Sequence, residues 1–172
     1  MISRRLLTFF TDLSPYQKEN GLIISEVLNI GWLSSEYPFT IGEASLEFTD
    51  KLAKIINNAV FRETEARVVM GEWRSLSCCP LCGISSLDIN TKVSRIGSAE
   101  VWIPCVKKEE VYYSSSTWIY HYIIDHQYFP PEEYIESVLS FDENQKIYAD
   151  IIAFDLFTKH ESLVSGRKIN RE

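Results

Sequence analysis

Cys79-Pro80-Leu81-Cys82-Gly83 is the stretch on which the fold of this chain turns, and His121 and His126 answer it downstream. Two thiolates separated by two residues can grip one metal ion from a tight turn. Two imidazoles with four residues between them can close the other side. The pattern C-x2-C…H-x4-H is the ligand set of a four-coordinate structural zinc site. Pro80 shapes the turn, and Gly83 permits the left-handed backbone that follows it. The histidine half needs one more condition. Residues five apart on a regular helix are rotated by about 140°, so His121 and His126 converge only if the helix loosens at its end. Gln127-Tyr128-Phe129-Pro130 supplies such an end.

Three readings compete at this constellation. In the first, Cys79, Cys82, His121 and His126 hold structural Zn2+. In the second, Cys78 or Cys105 replaces one of those ligands. In the third, the thiols carry no metal and the histidines are ordinary core or surface residues. A catalytic zinc needs an open coordination position and a nearby base. Glu72, Glu100 and Asp125 are the carboxylates within sequence reach, and Asp125 also suits a role in orienting an imidazole. Two cysteines and two histidines would saturate the metal. There is neither H-E-x-x-H nor the H-x-E with P-C-x-x-C of zinc deaminases. No catalytic residue is assigned. The long span from Cys82 to His121 separates the pattern from a DNA-reading finger.

Around this turn the chain reads as α+β: a small antiparallel sheet, helices packed on one side, and a C-terminal helical segment. Leu22–Ile24 and Val27–Ile30 read as short strands or one bent strand. Arg67–Met70, Leu87–Asn90, Gly97–Pro104 and Val111–Tyr113 read as further strands. Phe48, Leu52, Ile55, Ile56 and Ala59 form one apolar stripe at helical spacing, with Thr40 and Glu43 ahead of it as a capping box. Ser114-Ser115-Ser116 suits the N-cap of a helix over 117–125. Pro131 with Glu132 and Glu133 opens the next helix. A last helix has Ser140 and Glu143 as caps and Ile147, Ile151 and Phe154 as its stripe.

A chain of 172 residues with 45% hydrophobic and 13% aromatic residues can bury a real core. Residues 1–159 are expected to form a single zinc-stabilised domain, and 160–172 a polar, frayed tail. The net charge of −7 and pI near 5.1 disfavour general affinity for nucleic-acid phosphates. Arg62, Arg67, Arg74, Lys92 and Arg95 could still converge into a basic stripe. Trp73, Trp102 and Trp118 could stack bases, although core packing is the commoner use of such residues. The apolar run at Met1–Phe10 is too short for a secretory signal, and no run reaches the roughly 20 residues of a membrane span. Four clustered cysteines and no secretory signal fit a reducing, cytoplasmic setting.

Several blocks carry a resemblance. They are Leu28–Leu33, Gly71-Glu72-Trp73 ahead of the C-x2-C, Gly97–Pro104, and above all Ile119–Tyr134. Over about residues 6–139 the chain resembles a family of uncharacterised bacterial proteins. The resemblance implies a zinc-stabilised fold and transfers no activity. The chain departs from the family pattern at Cys105, where glycine is expected, and adds a helix after Leu139. By analogy with small bacterial proteins of this kind, the expected function is non-enzymatic: protein binding, with an immunity protein that neutralises a toxin as the concrete version. Glu132, Glu133, Glu136 and Asp150 are the expected contact residues for a basic partner. The alternatives are a zinc-dependent hydrolase and a nucleic-acid-binding accessory protein.

Overall fold

The computed structural model describes residues 9–60, 69–71, 76–145 and 147–169. Arg62, Arg67, Glu72, Trp73 and Arg74 lie outside the described residues, so the basic stripe and one candidate base are not located. The elements run β1 (Pro15–Gln17), β2 (Ile23–Asn29), α1 (Leu46–Val60), β3 (Val69–Gly71), β4 (Ala99–Pro104), β5 (Tyr112–Ser116), α2 (Ile119–His126), α3 (Glu132–Ser140) and α4 (Ala149–Ile169). This is an α+β fold with a C-terminal helix.

The strands form one sheet in the order β1-β2-β5-β4-β3. Three of its pairings are antiparallel, and β2 with β5 is parallel, with Val27 opposite Tyr112 and Asn29 opposite Ser114. The sheet is therefore mixed where an antiparallel one was expected. A parallel pair needs a long crossover, here everything from α1 to β4, and no local pattern announces it. Leu87–Asn90 is not a strand. Ser85 accepts the N–H of Leu87 through Oγ and those of Asp88 and Ile89 through its carbonyl, which coils the segment into a turn.

Alternation along β4 sends Val101 and Ile103 to one core and Trp102 to another. On the first face they meet α1, α2 and α3 through Phe48, Leu52, Trp118, Tyr122 and Tyr134. On the opposite face Trp102 meets Tyr16, Ile24, Val27 and α4. Trp102 and Trp118 are both fully buried, so neither is free to stack on a base. The stripe of α1 buries Phe48, Leu52, Ile55 and Ile56 as expected. Its cap is Ser45, whose Oγ accepts the N–H of Phe48, in place of the Thr40–Glu43 box.

Two serine-rich and helical expectations change. Ser114, Ser115 and Ser116 are strand residues of β5, all buried, and each hydroxyl has a partner. Ser114 donates to Glu100, Ser115 pairs with Tyr134, and Ser116 accepts the N–H of Trp118. The residue at the N-cap of α2 is Trp118, with no side-chain cap. In α4 the stripe shifts phase because Ile147 precedes the helix. Ala149, Ala153 and Phe157 face the sheet, while Ile151 and Phe154 stay 56% and 68% exposed. The small alanines let the helix lie close to the strands. Phe157 supplies the anchor, its ring 5.8 Å from that of Tyr16 and 6.4 Å from that of Trp102.

Helix α4 continues to Ile169, ten residues past the Lys159 boundary at which the domain was expected to end. Polar clasps to the β1–β2 hairpin hold this turn: Lys159 and His160 both reach Glu26, at 2.9 and 2.7 Å, and Glu161 takes Lys18 at 2.8 Å. Burial opposes ionisation of Glu26, but hydrogen bonds from Lys159 and His160 outweigh it and bring the carboxyl down to about 2. A depressed pKa contributes stability above the ordinary value of 4.5, and that contribution fades as pH falls toward 2. Glu26→Gln is therefore expected to cost stability at neutral pH. The gap from wild type should narrow below pH 4.5 and close near 2, as read by urea denaturation across that range. A gap that stays constant would contradict the ion-pair account.

Candidate metal centre

The cysteine turn is a miniature hairpin. Cys78 bridges Ser85, the N–H of Cys79 donates to the Ile84 carbonyl at 2.9 Å, and that of Gly83 returns to the Cys79 carbonyl at 2.8 Å. Closing so short a loop requires left-handed backbone, and Gly83 sits at φ +77. The N–H of Leu81 points at Cys79 Sγ at 3.4 Å. Such a donor stabilises a thiolate, the form that binds metal.

The turn is fastened to α2 by a strut. Leu76 donates its N–H to the Gly97 carbonyl at 2.9 Å, and its own carbonyl accepts the indole N–H of Trp118 at 2.7 Å. Trp118 lies one turn before His121, and their rings meet edge to face at 5.3 Å. The strut thus holds the thiols opposite the helix that carries the imidazoles. Nothing in the spacing of the motif announces it; the close approach required at Gly97 is the only sequence trace.

Helix α2 stops where convergence of the histidines needs it to. Gln127 takes the left-handed conformation at φ 56, and the N–H of Tyr128 reaches back to the Tyr122 carbonyl at 3.0 Å. His126 is consequently the last helical residue, and its ring meets that of His121 at 88°. The two Nε2 atoms are 3.2 Å apart.

Cys79, Cys82, His121 and His126 come together as one cluster, their donor atoms all within 4.8 Å of one another. Cys79 Sγ lies 3.6 Å from His126 Nε2, and Cys82 Sγ lies 3.5 Å from His121 Nε2. A tetrahedral ion with bonds of about 2.3 Å to sulfur and about 2.0 Å to nitrogen would hold S and N about 3.5 Å apart and two nitrogens about 3.3 Å apart. The donors fit a metal ion. Ligation through Nε2 also needs the right tautomer of His121, and its surroundings favour it. Asp125 Oδ2 sits 2.7 Å from His121 Nδ1. A proton on Nδ1 donates to the carboxylate and leaves the Nε2 lone pair for the metal.

Electrostatics in the cluster favour a bound cation. Burial pushes the Cys79 thiol up, so its thiolate needs a positive charge nearby. Burial and then the neighbouring His121 push His126 down, which keeps its imidazole neutral and able to ligate. The hydroxyl of Tyr122, fully buried behind the helix, has no hydrogen-bond partner among the described residues. Cys78 is exposed, and Cys105 hydrogen-bonds the Tyr113 hydroxyl at 3.2 Å instead. Neither joins the cluster.

Glu100 is no base for this site. It lies on the other face of the sheet, fully buried, with Trp102 Nε1 and the Ser114 and Tyr16 hydroxyls around its carboxylate. The acids read as a contact surface are also partly engaged. Glu136 pairs with Lys107, and Glu133 accepts from the Tyr113 hydroxyl. Glu143, expected as a helix cap, pairs instead with Lys51 and Lys54. Glu132 and Asp150 are exposed.

Residues 8–139 match the family described as a domain of unknown function, DUF7919. The chain belongs to the DUF7919 family. The matched span contains the cysteine turn, the Trp118 strut and both histidines, and it ends inside α3. The DUF7919 domain thus holds every donor of the cluster, while α4 lies beyond it. Comparison with curated proteins and with solved structures found no match.

If Asp125 orients the ligand, Asp125→Ala is expected to weaken metal affinity by about 10- to 100-fold. Competition with a chromophoric chelator would read this, with the fold unchanged at saturating zinc. Unchanged affinity would mean that Trp118 alone holds the ring of His121.

Proposed function

We propose that this is a zinc-clasped, non-catalytic bacterial protein that acts in the cytoplasm by binding another protein. The observation that carries the reading is the donor set itself: two cysteines and two histidines spaced for one tetrahedral ion. Bound there, zinc supplies cross-linking. Four protein ligands leave no position for a substrate or an attacking water, and Asp125, the carboxylate that reaches the cluster among the described residues, is already committed to His121. This favours a structural clasp over a hydrolase. Cys79 and Cys82 position the turn, His121 and His126 fix the end of α2, and Asp125 holds a proton on His121 Nδ1.

The net charge of −7 supports a cationic protein partner. A basic toxin neutralised by this protein is the concrete version, with Glu132, Glu133, Glu136 and Asp150 steering its approach. Among the described residues no helix is long and apolar enough to cross a membrane. The experiment is capture of the partner from the native host, followed by affinity measurements over a range of salt. Glu132→Gln, Glu133→Gln, Glu136→Gln and Asp150→Asn together are expected to weaken binding several-fold and flatten its salt dependence. Unchanged affinity and salt slope would show that this surface is not the contact.

A further inference from the structure

Between the β4–β5 turn and the start of α4 lies an open groove of about 430 Å³. Pro104, Val111, Ile147, Tyr148, Ile151 and Ile152 give it an apolar lining, and Lys108, Glu109 and Glu110 stand at its polar end. Tyr148 and Ile151 remain 39% and 56% exposed, and Phe154, one helical turn beyond Ile151, remains 68% exposed. Side chains three apart on a helix share a face. Ile151 and Phe154 therefore continue the groove as a ridge on the side of α4 turned away from the sheet. An uncovered apolar strip of this kind on a folded domain marks a contact surface.

The charges beside it say what covers it. Glu109, Glu110, Asp150 and Asp155 are all exposed, and none is in an ion pair among the described residues. Lys108 is the one described cation lining the groove. A second copy of this chain would bring the same acids against these, since a two-fold contact is self-facing. A segment with apolar side chains at helical spacing and Lys or Arg on its flanks would meet both the strip and the acids.

We propose that this groove, with the Ile151–Phe154 ridge, is the docking site for a basic amphipathic helix of the partner protein. This rests on the protein-binding reading above and moves its centre from α3 to α4. The α4 side of the site, from Ile147 to Phe154, lies outside the DUF7919 match, and the β4–β5 side, from Pro104 to Val111, lies within it.

The test is selection of a random displayed peptide library on the full-length, zinc-loaded protein. Enriched peptides are expected to carry apolar residues at i, i+3 and i+4 with Lys or Arg between them. Their affinity should fall tenfold or more in Ile151→Glu and in Phe154→Glu, and also on raising salt. Both side chains are exposed, so circular dichroism should show both variants folded. Acidic or uncharged winners would overturn the proposal, as would peptides that bind the two variants as well as wild type. Self-association abolished by Phe154→Glu would assign the face to a second copy and also overturn it. Peptides indifferent to α4 but lost on Glu132→Gln and Glu136→Gln would overturn the groove and leave the protein-binding reading standing. An empty selection overturns the groove alone, because the wider reading is measured with the captured native partner.

Discussion

Cys82→Ser is expected to abolish stoichiometric zinc binding and to lower the melting temperature by about 10 °C or more. The substitution discriminates well because Cys82 is exposed. In an unmetallated protein, changing an exposed thiol to a hydroxyl changes stability by no more than about 0.5 kcal/mol. In a zinc-clasped one it removes a ligand. Structural zinc sites bind with apparent free energies of about 10–16 kcal/mol, as large as the whole stability of a typical domain, about 5–15 kcal/mol. Losing even a third of that, with about 2–4 °C per kcal/mol for a chain of this size, gives the predicted fall. Chelation of the wild type should reproduce it. A melting temperature within a degree or two of wild type would mean that the cluster holds no metal of structural weight.

Gly97→Ala is the second large effect, and Gly83→Ala is its control. Both glycines sit at φ +77. A methyl group at Gly97 would lie 2.1 Å from the Leu76 carbonyl oxygen and 2.7 Å from Trp118 Nε1, whereas at Gly83 it would meet nothing within 4 Å. The Gly83 variant pays only the left-handed backbone cost, about 1–2 kcal/mol. The Gly97 variant adds a clash with backbone that cannot swing aside, and it breaks the Leu76–Trp118 strut that holds the cysteine turn against α2. Its cost is expected to exceed about 4 kcal/mol. Urea denaturation of both at saturating zinc measures the difference. Equal costs would show that the strut does not join the two halves of the metal site.

The spacing of Cys79, Cys82, His121 and His126 was enough to pick out four side chains that the fold brings into one cluster, because metal geometry leaves few ways to satisfy that pattern. The α1 stripe was legible for a similar reason: one face of a long helix must be buried, and periodicity reveals which. Other features depend on tertiary partners and left no local trace. The parallel pairing of β2 with β5 is a consequence of the crossover. The burial of Ser114, Ser115 and Ser116 depends on Glu100, Tyr134 and Trp118, each distant from its partner or in the next element. The phase of α4 was misread because apolar residues lie on both of its sides. Ala149, Ala153 and Phe157 take the sheet, and Ile151 and Phe154 are left outside. That second apolar side is what a search for a single stripe cannot anticipate. It is also the side on which the docking groove lies.

The central claim is that the cysteine turn and the end of α2 are tied by one tetrahedral ion. X-ray absorption at the zinc edge of the purified, metal-loaded protein tests it most directly. The account predicts one zinc per chain with two sulfur neighbours at about 2.3 Å and two imidazole nitrogens at about 2.0 Å. A shell with an oxygen in place of a histidine or cysteine donor, or with three sulfurs, would contradict it.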